Sequence, residues 1–148
     1  MDEYLLADTS VVSKLTKASV DSEFYGTFLL SGRLAINFQA LAELRGCKFG
    51  DQRMQRLEDL IAATLVLPHS VVTSSWYARV AEMRAGLRKL KARGGDAGDA
   101  DMWVVSSALE FQLDLLSHDG PQIELARALG VRGFTNLPQL RDGNPSLP

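Results

Sequence analysis

Three aspartates stand at the points where predicted strands and helices meet. Asp8 directly follows the short apolar run Tyr4–Ala7, and Asp119 follows a predicted buried strand over Leu113–Ser117. Asp101 opens a helix-periodic stretch that leads into the second of these strands. The carboxyl ends of parallel strands share one edge of a sheet, where open α/β folds build their sites. We therefore expect the three carboxylates to meet at that edge.

Gathered carboxylates favour a particular chemistry. Two unit charges 4 Å apart repel by about 4 kcal/mol at an effective dielectric near 20, so such a cluster is costly unless it is protonated or bridged by cations. Mg²⁺ and Mn²⁺ are the oxygen-seeking ions suited to this role, and they can activate a water against a phosphodiester. The hydroxyls of Thr9, Ser10 and Ser117 are placed to hold the acids or the waters of the metal.

Each acid also has a purely structural interpretation, and the sequence leaves both open. Asp8 suits the N-cap of a helix. Asp101 provides favourable charge in a first helical turn. Asp119 precedes Gly120-Pro121 and suits a turn, and Glu43 reads as an ordinary acid on a helix surface.

The elements that must position these acids alternate along the chain. Ser19, Asn37 and Ser70 have the residue type that begins helices. Helices are predicted over residues 19–30, 37–45, 52–64, 70–91, 99–112 and 122–129. Short strands are predicted over 33–36 and 131–134, with a strand or extended linker at 65–67. Residues 96–98 are expected to be a flexible approach to the helix of Asp101. The pattern is that of an α/β fold with a mostly parallel sheet.

Composition sets the outer limits. The 148 residues, 46% apolar and 23% charged, suit one domain, which we place at residues 1–135 with a loosely held tail over 136–148. No apolar run approaches the roughly 18 residues of a membrane helix, and the acidic start does not resemble a signal peptide. With Cys47 as the single cysteine, an intramolecular disulfide is excluded, which is typical of a reducing cytoplasm.

The charge pattern limits how this chain could bind nucleic acid. A net charge of −2 argues against binding by bulk charge, although metal ions could neutralise a local site. Arg84, Arg88 and Lys89 form a basic end of the long helix that is a weak candidate for RNA phosphates, or simply a solvated face. Trp76 and Trp103 lie on apolar stripes and are expected in the core or in a dimer contact.

Four short motifs in order resemble the PIN-domain nucleases, most of all the VapC toxins of bacterial toxin–antitoxin pairs. They cover nearly the whole chain and read Asp8-Thr9-Ser10, Glu43-Leu44, Asp101-Met102-Trp103-Val104 and Ser117-His118-Asp119. This chain departs from the family pattern after the last motif, where another acid and a Phe often follow in the family. Here the sequence continues Gly120-Pro121-Gln122, which leaves a fifth acid open, and Asp99 is a candidate to replace it.

The resemblance implies a three-layer α/β/α sandwich and a Mg²⁺- or Mn²⁺-dependent endoribonuclease. Its metal ligands and catalytic residues would be Asp8, Glu43, Asp101 and Asp119, supported by the neighbouring hydroxyls. It also implies a cognate antitoxin protein as partner and a homodimer. An antitoxin helix is expected in an apolar groove around Val12, Leu15 and Phe28.

Two other functions compete with this one. Asp8 after the first strand would suit an aspartyl-phosphate enzyme, but such families usually carry a second Asp two residues on, where this chain has Ser10. A catalytically silent or housekeeping PIN-like domain that only binds RNA or protein is the main alternative. The four intact acids argue against it.

Overall fold

Continuous apolar runs form the strands of a central parallel sheet. The computed structural model describes residues 4–31 and 33–146. Within them the sheet has five strands, all paired in parallel, in the order β3-β2-β1-β4-β5. The strands are β1 (Leu5–Ala7), β2 (Leu34–Asn37), β3 (Leu65–Leu67), β4 (Asp114–Leu116) and β5 (Gly133–Phe134). The predicted α/β class is confirmed, and the 65–67 segment is a strand rather than a linker.

Seven α-helices connect and cover these strands in the described part of the chain. They are α1 (Thr9–Leu15), α2 (Val20–Leu30), α3 (Phe38–Arg45), α4 (Asp51–Ala63), α5 (Val71–Lys89), α6 (Asp99–Phe111) and α7 (Gly120–Ala128). Ser19, Asn37 and Ser70 are the N-caps of α2, α3 and α5, as their side-chain chemistry predicted. The helix from Asp99 ends one residue earlier than expected, because Gln112 adopts a left-handed conformation with φ of 56°.

Side chains on the two faces of the sheet enter two separate cores, which makes the fold three-layered. Leu6 and Leu115 pack into a core that includes residues of α5, α6 and α7. Leu5, Ala7 and Leu116 pack into a core that includes residues of α1, α2, α3 and α4. Successive strand residues point to opposite faces of the sheet, and helices cover both faces. Every residue of the short central strand β1 is therefore buried.

The buried stripe of α5 differs from its predicted one. The helical periodicity of residues 70–91 predicts that either Val71 or Val72 faces inward, but their side chains are 82% and 55% exposed. Thr73 is fully buried instead, and its hydroxyl donates to Glu110 Oε2 on α6 at 2.5 Å. The first turn of α5 is therefore fixed by polar contacts with α6, which hydrophobic periodicity does not reveal.

The segment before α6 includes residues 96–98, which were expected to be flexible, and of these Ala97 is 1% exposed and its carbonyl accepts from Arg84. Residues Arg93–Asp96 form a short 3-10 helix, with Gly94 and Gly95 buried. A Cβ at Gly95 would lie 2.6 Å from the backbone nitrogen of Arg88, and one at Gly94 would lie 2.9 Å from that of Leu125. The two glycines allow this segment to sit tightly between α5 and α7, so that the start of α6 is held in place.

Residues 136–146 are hydrogen-bonded to the rest of the domain. Arg127 donates to the carbonyl of Leu140 at 3.1 Å and to Asn144 Oδ1 at 3.2 Å, while Asn144 Nδ2 donates to the carbonyl of Thr135 at 2.9 Å. The division of the chain after residue 135 stays a prediction. No helix within residues 4–31 and 33–146 has the length and apolar character needed to cross a bilayer.

Candidate functional site

Asp8 lies at the carboxyl end of β1 and is 4% exposed. Its Oδ1 accepts from Ser10 Oγ at 2.5 Å and from the backbone N–H of Val11 at 3.1 Å, so that it caps α1. Its Oδ2 accepts from Ser117 Oγ at 2.5 Å. Burial raises the pKa of the Asp8 carboxyl from 3.8 to about 6, against the opposing effect of these three donors. The capping interpretation is therefore correct, but it leaves the residue a buried acid.

Asp101 connects the four predicted acids electrostatically. It sits in the first turn of α6, where its Oδ2 accepts from the backbone N–H of Gly98 at 3.0 Å. Burial raises its pKa, and the negative charges of Asp119 and Glu43 raise it further. Asp101 in turn contributes to the raised pKa of Asp8. Acids at the start of α1 and α7 and on α3 and α6 are thus linked by charge at the carboxyl edge of the sheet.

The remaining two acids are more accessible. Asp119 is half-buried and is the N-cap of α7, accepting from the backbone N–H of Gln122 at 3.1 Å. Glu43 is exposed on α3 and accepts from Gln39 Nε2 at 3.2 Å. Among the described residues, none of the four carboxylates forms an ion pair, because the four pairs present involve other acids. Within residues 4–31 and 33–146, no side-chain cation therefore pairs directly with a member of this cluster, although the Arg93 guanidinium lies against Gly120, the residue after Asp119.

The hydroxyl groups predicted to support the acids have different positions. Ser117 is fully buried, and besides binding Asp8 its Oγ accepts from the backbone N–H of Asp119 at 3.0 Å. Ser10 Oγ accepts from the backbone N–H of His118 at 2.9 Å. These two serines therefore tie the loop after β4 to Asp8. Thr9 begins α1 and is half-buried.

Asp99, the candidate for a fifth acid, is engaged elsewhere. Its Oδ1 accepts a short hydrogen bond from the hydroxyl of Tyr77 on α5. Asp99 and Asp101 are two residues apart on α6, so their side chains project about 200° apart around the helix axis. The three groups that shift the pKa of Asp101 are Gly98, Asp119 and Glu43, and Asp99 is not among them. This arrangement favours a role for Asp99 in joining α5 to α6.

Gln122 is a site residue that the sequence analysis missed. It is fully buried in the first turn of α7, and its side-chain amide nitrogen donates to Asp8 Oδ2 at 2.5 Å and to Asp101 Oδ1 at 3.2 Å. The amide is oriented by its hydrogen bonds, since an oxygen in that place would face the two carboxylates. One nitrogen atom thus contacts both acids. The distance between Asp8 Oδ2 and Asp101 Oδ1 therefore cannot exceed the sum of these two hydrogen-bond lengths. The sequence did offer one indication of its role, because Gly120-Pro121-Gln122 stands where the family motif often continues with another acid and a Phe.

The donor set suits a hard divalent cation, but its oxygens are occupied by hydrogen bonds. Carboxylates are the ligands that Mg²⁺ and Mn²⁺ prefer, and the unbalanced charge and raised pKa values fit a cation at this edge. Within the described residues, no three side chains of His, Cys, Asp or Glu are grouped closely enough to hold an ion as they stand. Serine and amide donors fill the positions around Asp8, so a cation has to displace some of them.

The basic residues of α5 are partly committed to the fold. Arg84 Nη1 donates to the carbonyl of Ala97 at 3.2 Å, and Arg88 Nε donates to the carbonyl of Gly95 at 2.6 Å. Both hold the segment that leads into α6. Lys89 is exposed in the last turn of α5. Their binding of RNA phosphates stays a prediction.

His118 is held by a buried tyrosine. Tyr25 is fully buried on α2, and its hydroxyl lies 2.7 Å from His118 Nδ1 while accepting from the backbone N–H of Asn136 at 3.0 Å. Burial lowers the pKa of His118, opposed by the nearby charge of Asp21. These contacts give His118 a structural role in fixing the loop after β4.

The raised pKa of Asp8 predicts the pH dependence of stability without metal. The folded carboxyl, with a pKa of about 6, holds its proton more tightly than the unfolded one at 3.8. This contribution to the free energy of unfolding is fully present below pH 4 and is lost as pH rises through 6. The difference between the folded and unfolded pKa of Asp8 corresponds to about 3 kcal/mol. Chemical denaturation in EDTA between pH 4 and 7 should show this loss in wild type. Asp8→Asn should show a shallower fall, and equal slopes would contradict the assigned pKa.

Comparison with solved structures identifies the fold. The chain superposes on VapBC2 from Rickettsia felis, crystallised with a promoter DNA fragment, with a TM-score of 0.67 and 18% identity over 89% of this chain and 98% of that one. DNA-bound VapBC from Salmonella typhimurium superposes with a TM-score of 0.67 and 19% identity, over 91% of this chain and 98% of that one. The chain has the fold of a VapC-like PIN domain.

A third VapC-like neighbour agrees, although sequence comparison alone finds nothing. VapBC-5 from Mycobacterium tuberculosis, a member of the VapBC family of toxin–antitoxin systems, matches with a TM-score of 0.59 and 24% identity, over 90% of this chain and 97% of that chain. No protein-family sequence model and no curated protein sequence matches the chain. The VapC-like PIN fold inferred from four short motifs is thereby confirmed at the level of structure.

Proposed function

We propose that this chain is a Mg²⁺- or Mn²⁺-dependent endoribonuclease that acts as the toxin of a toxin–antitoxin pair in the cytoplasm. The observation that carries the proposal is a group of four acids at the carboxyl edge of a VapC-like PIN fold, none of which forms an ion pair within the described residues. The charges of Asp119 and Glu43 act on Asp101, the charge of Asp101 acts on Asp8, and Asp8 and Asp101 are bridged by one amide nitrogen. That number of acids without a cation is difficult to explain as a structural feature alone.

Asp8, Asp101, Asp119 and Glu43 are the residues that would hold the ion. A bound Mg²⁺ or Mn²⁺ would activate a water and neutralise charge on the phosphodiester. Ser10 and Ser117 fix the Asp8 carboxylate through two hydrogen bonds of 2.5 Å each, so its geometry is set before substrate arrives. Glu43 is exposed at the rim of this edge, where it can accept a proton from an incoming water.

An antitoxin helix has an apolar groove to occupy. Leu15, Leu29 and Leu30 line an open groove of about 490 Å³ between α1 and α2, and a second of about 300 Å³ reaches α4. The expected centre is partly wrong, because Val12 and Phe28 are 3% and 8% exposed and belong to the core. The VapBC neighbours are toxin–antitoxin complexes, which supports such a partner. A homodimer stays a prediction.

A silent PIN-like domain is the alternative, and one observation favours it. No three acidic or other ligating side chains of the described chain are grouped tightly enough for an ion in the present arrangement. If the site cannot rearrange, the chain would bind RNA or protein without cutting. Metal titration separates the two functions.

Mg²⁺ or Mn²⁺ is expected to stabilise the folded chain and to permit RNA cleavage. An ion at about a hundred times its Kd adds about 2.7 kcal/mol, which raises Tm by roughly 5 to 10 °C for a domain of this size. Thermal melts and cleavage of a structured RNA should be measured with millimolar Mn²⁺ and after addition of EDTA. Absence of both the shift and the cleavage would leave the silent domain as the better account.

A further inference from the structure

One buried residue contacts three of the four predicted acids, two through its side chain and one through its backbone N–H. The backbone N–H of Gln122 donates to Asp119 Oδ1 at 3.1 Å. Its side-chain nitrogen lies 2.5 Å from Asp8 Oδ2 and 3.2 Å from Asp101 Oδ1. The residue is 0% exposed, so its amide is committed to this environment rather than to solvent. Gln122 therefore lies at the centre of the acidic cluster.

The amide group supplies what a cation would otherwise supply. An NH₂ group has two donors and no net charge, so it can give one hydrogen bond to each carboxylate. A hydrogen bond to an ionised acceptor is stronger than one between neutral groups, and a buried carboxylate that lacks donors is costly. A metal ion that bridges Asp8 and Asp101 would bind the same oxygen atoms.

We infer that Gln122 occupies the bridging position between Asp8 and Asp101 when no metal is bound, and that it competes with the cation for their oxygens. The inference rests on the proposed function, because it assumes that a divalent cation binds at this edge. It makes Gln122 a positioning residue that stabilises the metal-free fold and weakens metal binding. The site is then open to metal only at the cost of these hydrogen bonds.

The opposite orientation of the amide gives the competing explanation. With its oxygen toward the site, Gln122 would accept from Ser117 Oγ at 3.3 Å and would face both carboxylates with a third acceptor. That arrangement is favourable only with a cation between the three oxygens, and it would make Gln122 a metal ligand. The two orientations predict opposite effects of removing the amide on metal affinity.

Gln122→Met and Gln122→Glu are the decisive variants. Methionine has a similar length without donors, and ionised glutamate has the same shape with no donor and an added charge. We expect Gln122→Met to lower Tm in EDTA by about 4 °C and to tighten the Mn²⁺ Kd on the order of tenfold. We expect Gln122→Glu to cause a larger fall in Tm in EDTA and a larger decrease in the Mn²⁺ Kd than Gln122→Met. Calorimetric Mn²⁺ titration and thermal melts of the full chain give these values without relying on activity.

Leu125→Met is the matched control. Leu125 is equally buried on the same helix, but it packs in the apolar core away from the acids. This variant should lower Tm and leave the Mn²⁺ Kd unchanged. Weaker Mn²⁺ binding by Gln122→Met would show an oxygen ligand and overturn the inference. An unchanged Kd, with equal loss of Tm with and without Mn²⁺, would reduce Gln122 to packing and overturn it as well.

The same titrations separate this inference from the proposed function. If wild type binds Mn²⁺ and Gln122→Met binds it equally well, the inference fails and the metal-dependent nuclease stands. If only the Gln122 variants bind Mn²⁺, the inference stands and the wild-type chain is not a metal-dependent nuclease under those conditions. If none of the proteins binds Mn²⁺, both fail.

Discussion

Replacing Asp101 by Asn is expected to lower RNA cleavage by at least about a thousandfold while the chain stays folded. The negative charges of Asp119 and Glu43 raise the pKa of Asp101, and Asp101 in turn raises the pKa of Asp8, so its charge is central to any ion held there. Loss of several kcal/mol of metal-dependent transition-state stabilisation corresponds to such a factor. The rate should be measured on a fluorescent RNA with Mn²⁺ in excess.

Asp99→Asn is the matched control for this measurement. It makes the same change two residues away on the same helix, but the Asp99 carboxylate accepts from Tyr77 rather than acting on Asp101. We expect a cleavage rate within a few fold of wild type and a modest loss of stability. Equal losses for both variants would show that Asp99 serves as the fifth acid. An Asp101→Asn protein that cuts at the wild-type rate would remove Asp101 from the site.

The strands and helix starts could be predicted because their causes are local. The central strands of a parallel sheet are buried on both faces, so they read as continuous apolar runs such as Leu5–Ala7 and Leu34–Ile36. Ser19, Asn37 and Ser70 cap helices through atoms of their own first turns. These contacts require no knowledge of distant residues.

The errors have tertiary causes. Nothing near Thr73 in sequence indicates that Glu110, on another helix, would bury it in place of Val71 and Val72. The packing of Gly94 and Gly95 against neighbouring helices is equally invisible in a sequence where two glycines indicate only the end of a helix. Such contacts join residues that only the complete fold brings together.

The candidate site shows the same division between local and distant causes. Asp8, Asp101 and Asp119 could be placed at one edge because strand ends and helix starts fix their positions. The roles of Ser117 and Gln122 depend on contacts with Asp8 that span more than a hundred residues. Chain topology therefore predicts which elements meet, and the hydrogen bonds made there have to be seen.

Leu30 is expected to decide whether an antitoxin can neutralise this chain. Wild type expressed alone should slow growth, since an acidic site open at the sheet edge would cleave cellular RNA. Asp8→Ala should be harmless. Co-expression of a cognate antitoxin should restore growth to the strain that expresses the wild-type chain. The physical basis is an apolar helix laid in the groove of Leu15, Leu29 and Leu30, with a basic side chain paired to the acids.

Leu30→Glu should remain toxic and should no longer be rescued. Leu30 is 90% exposed on α2, so a charge there costs little in the free chain but is buried without a partner once a helix covers the groove. Leu90→Glu is the control, because Leu90 is 78% exposed at the end of α5 and does not line the groove. Growth curves and the measured Kd between this chain and the antitoxin test this directly.

If the antitoxin rescues cells that express Leu30→Glu as completely as cells that express Leu90→Glu, the antitoxin binds elsewhere. A wild-type chain that is well expressed and harmless alone would contradict the toxin function itself.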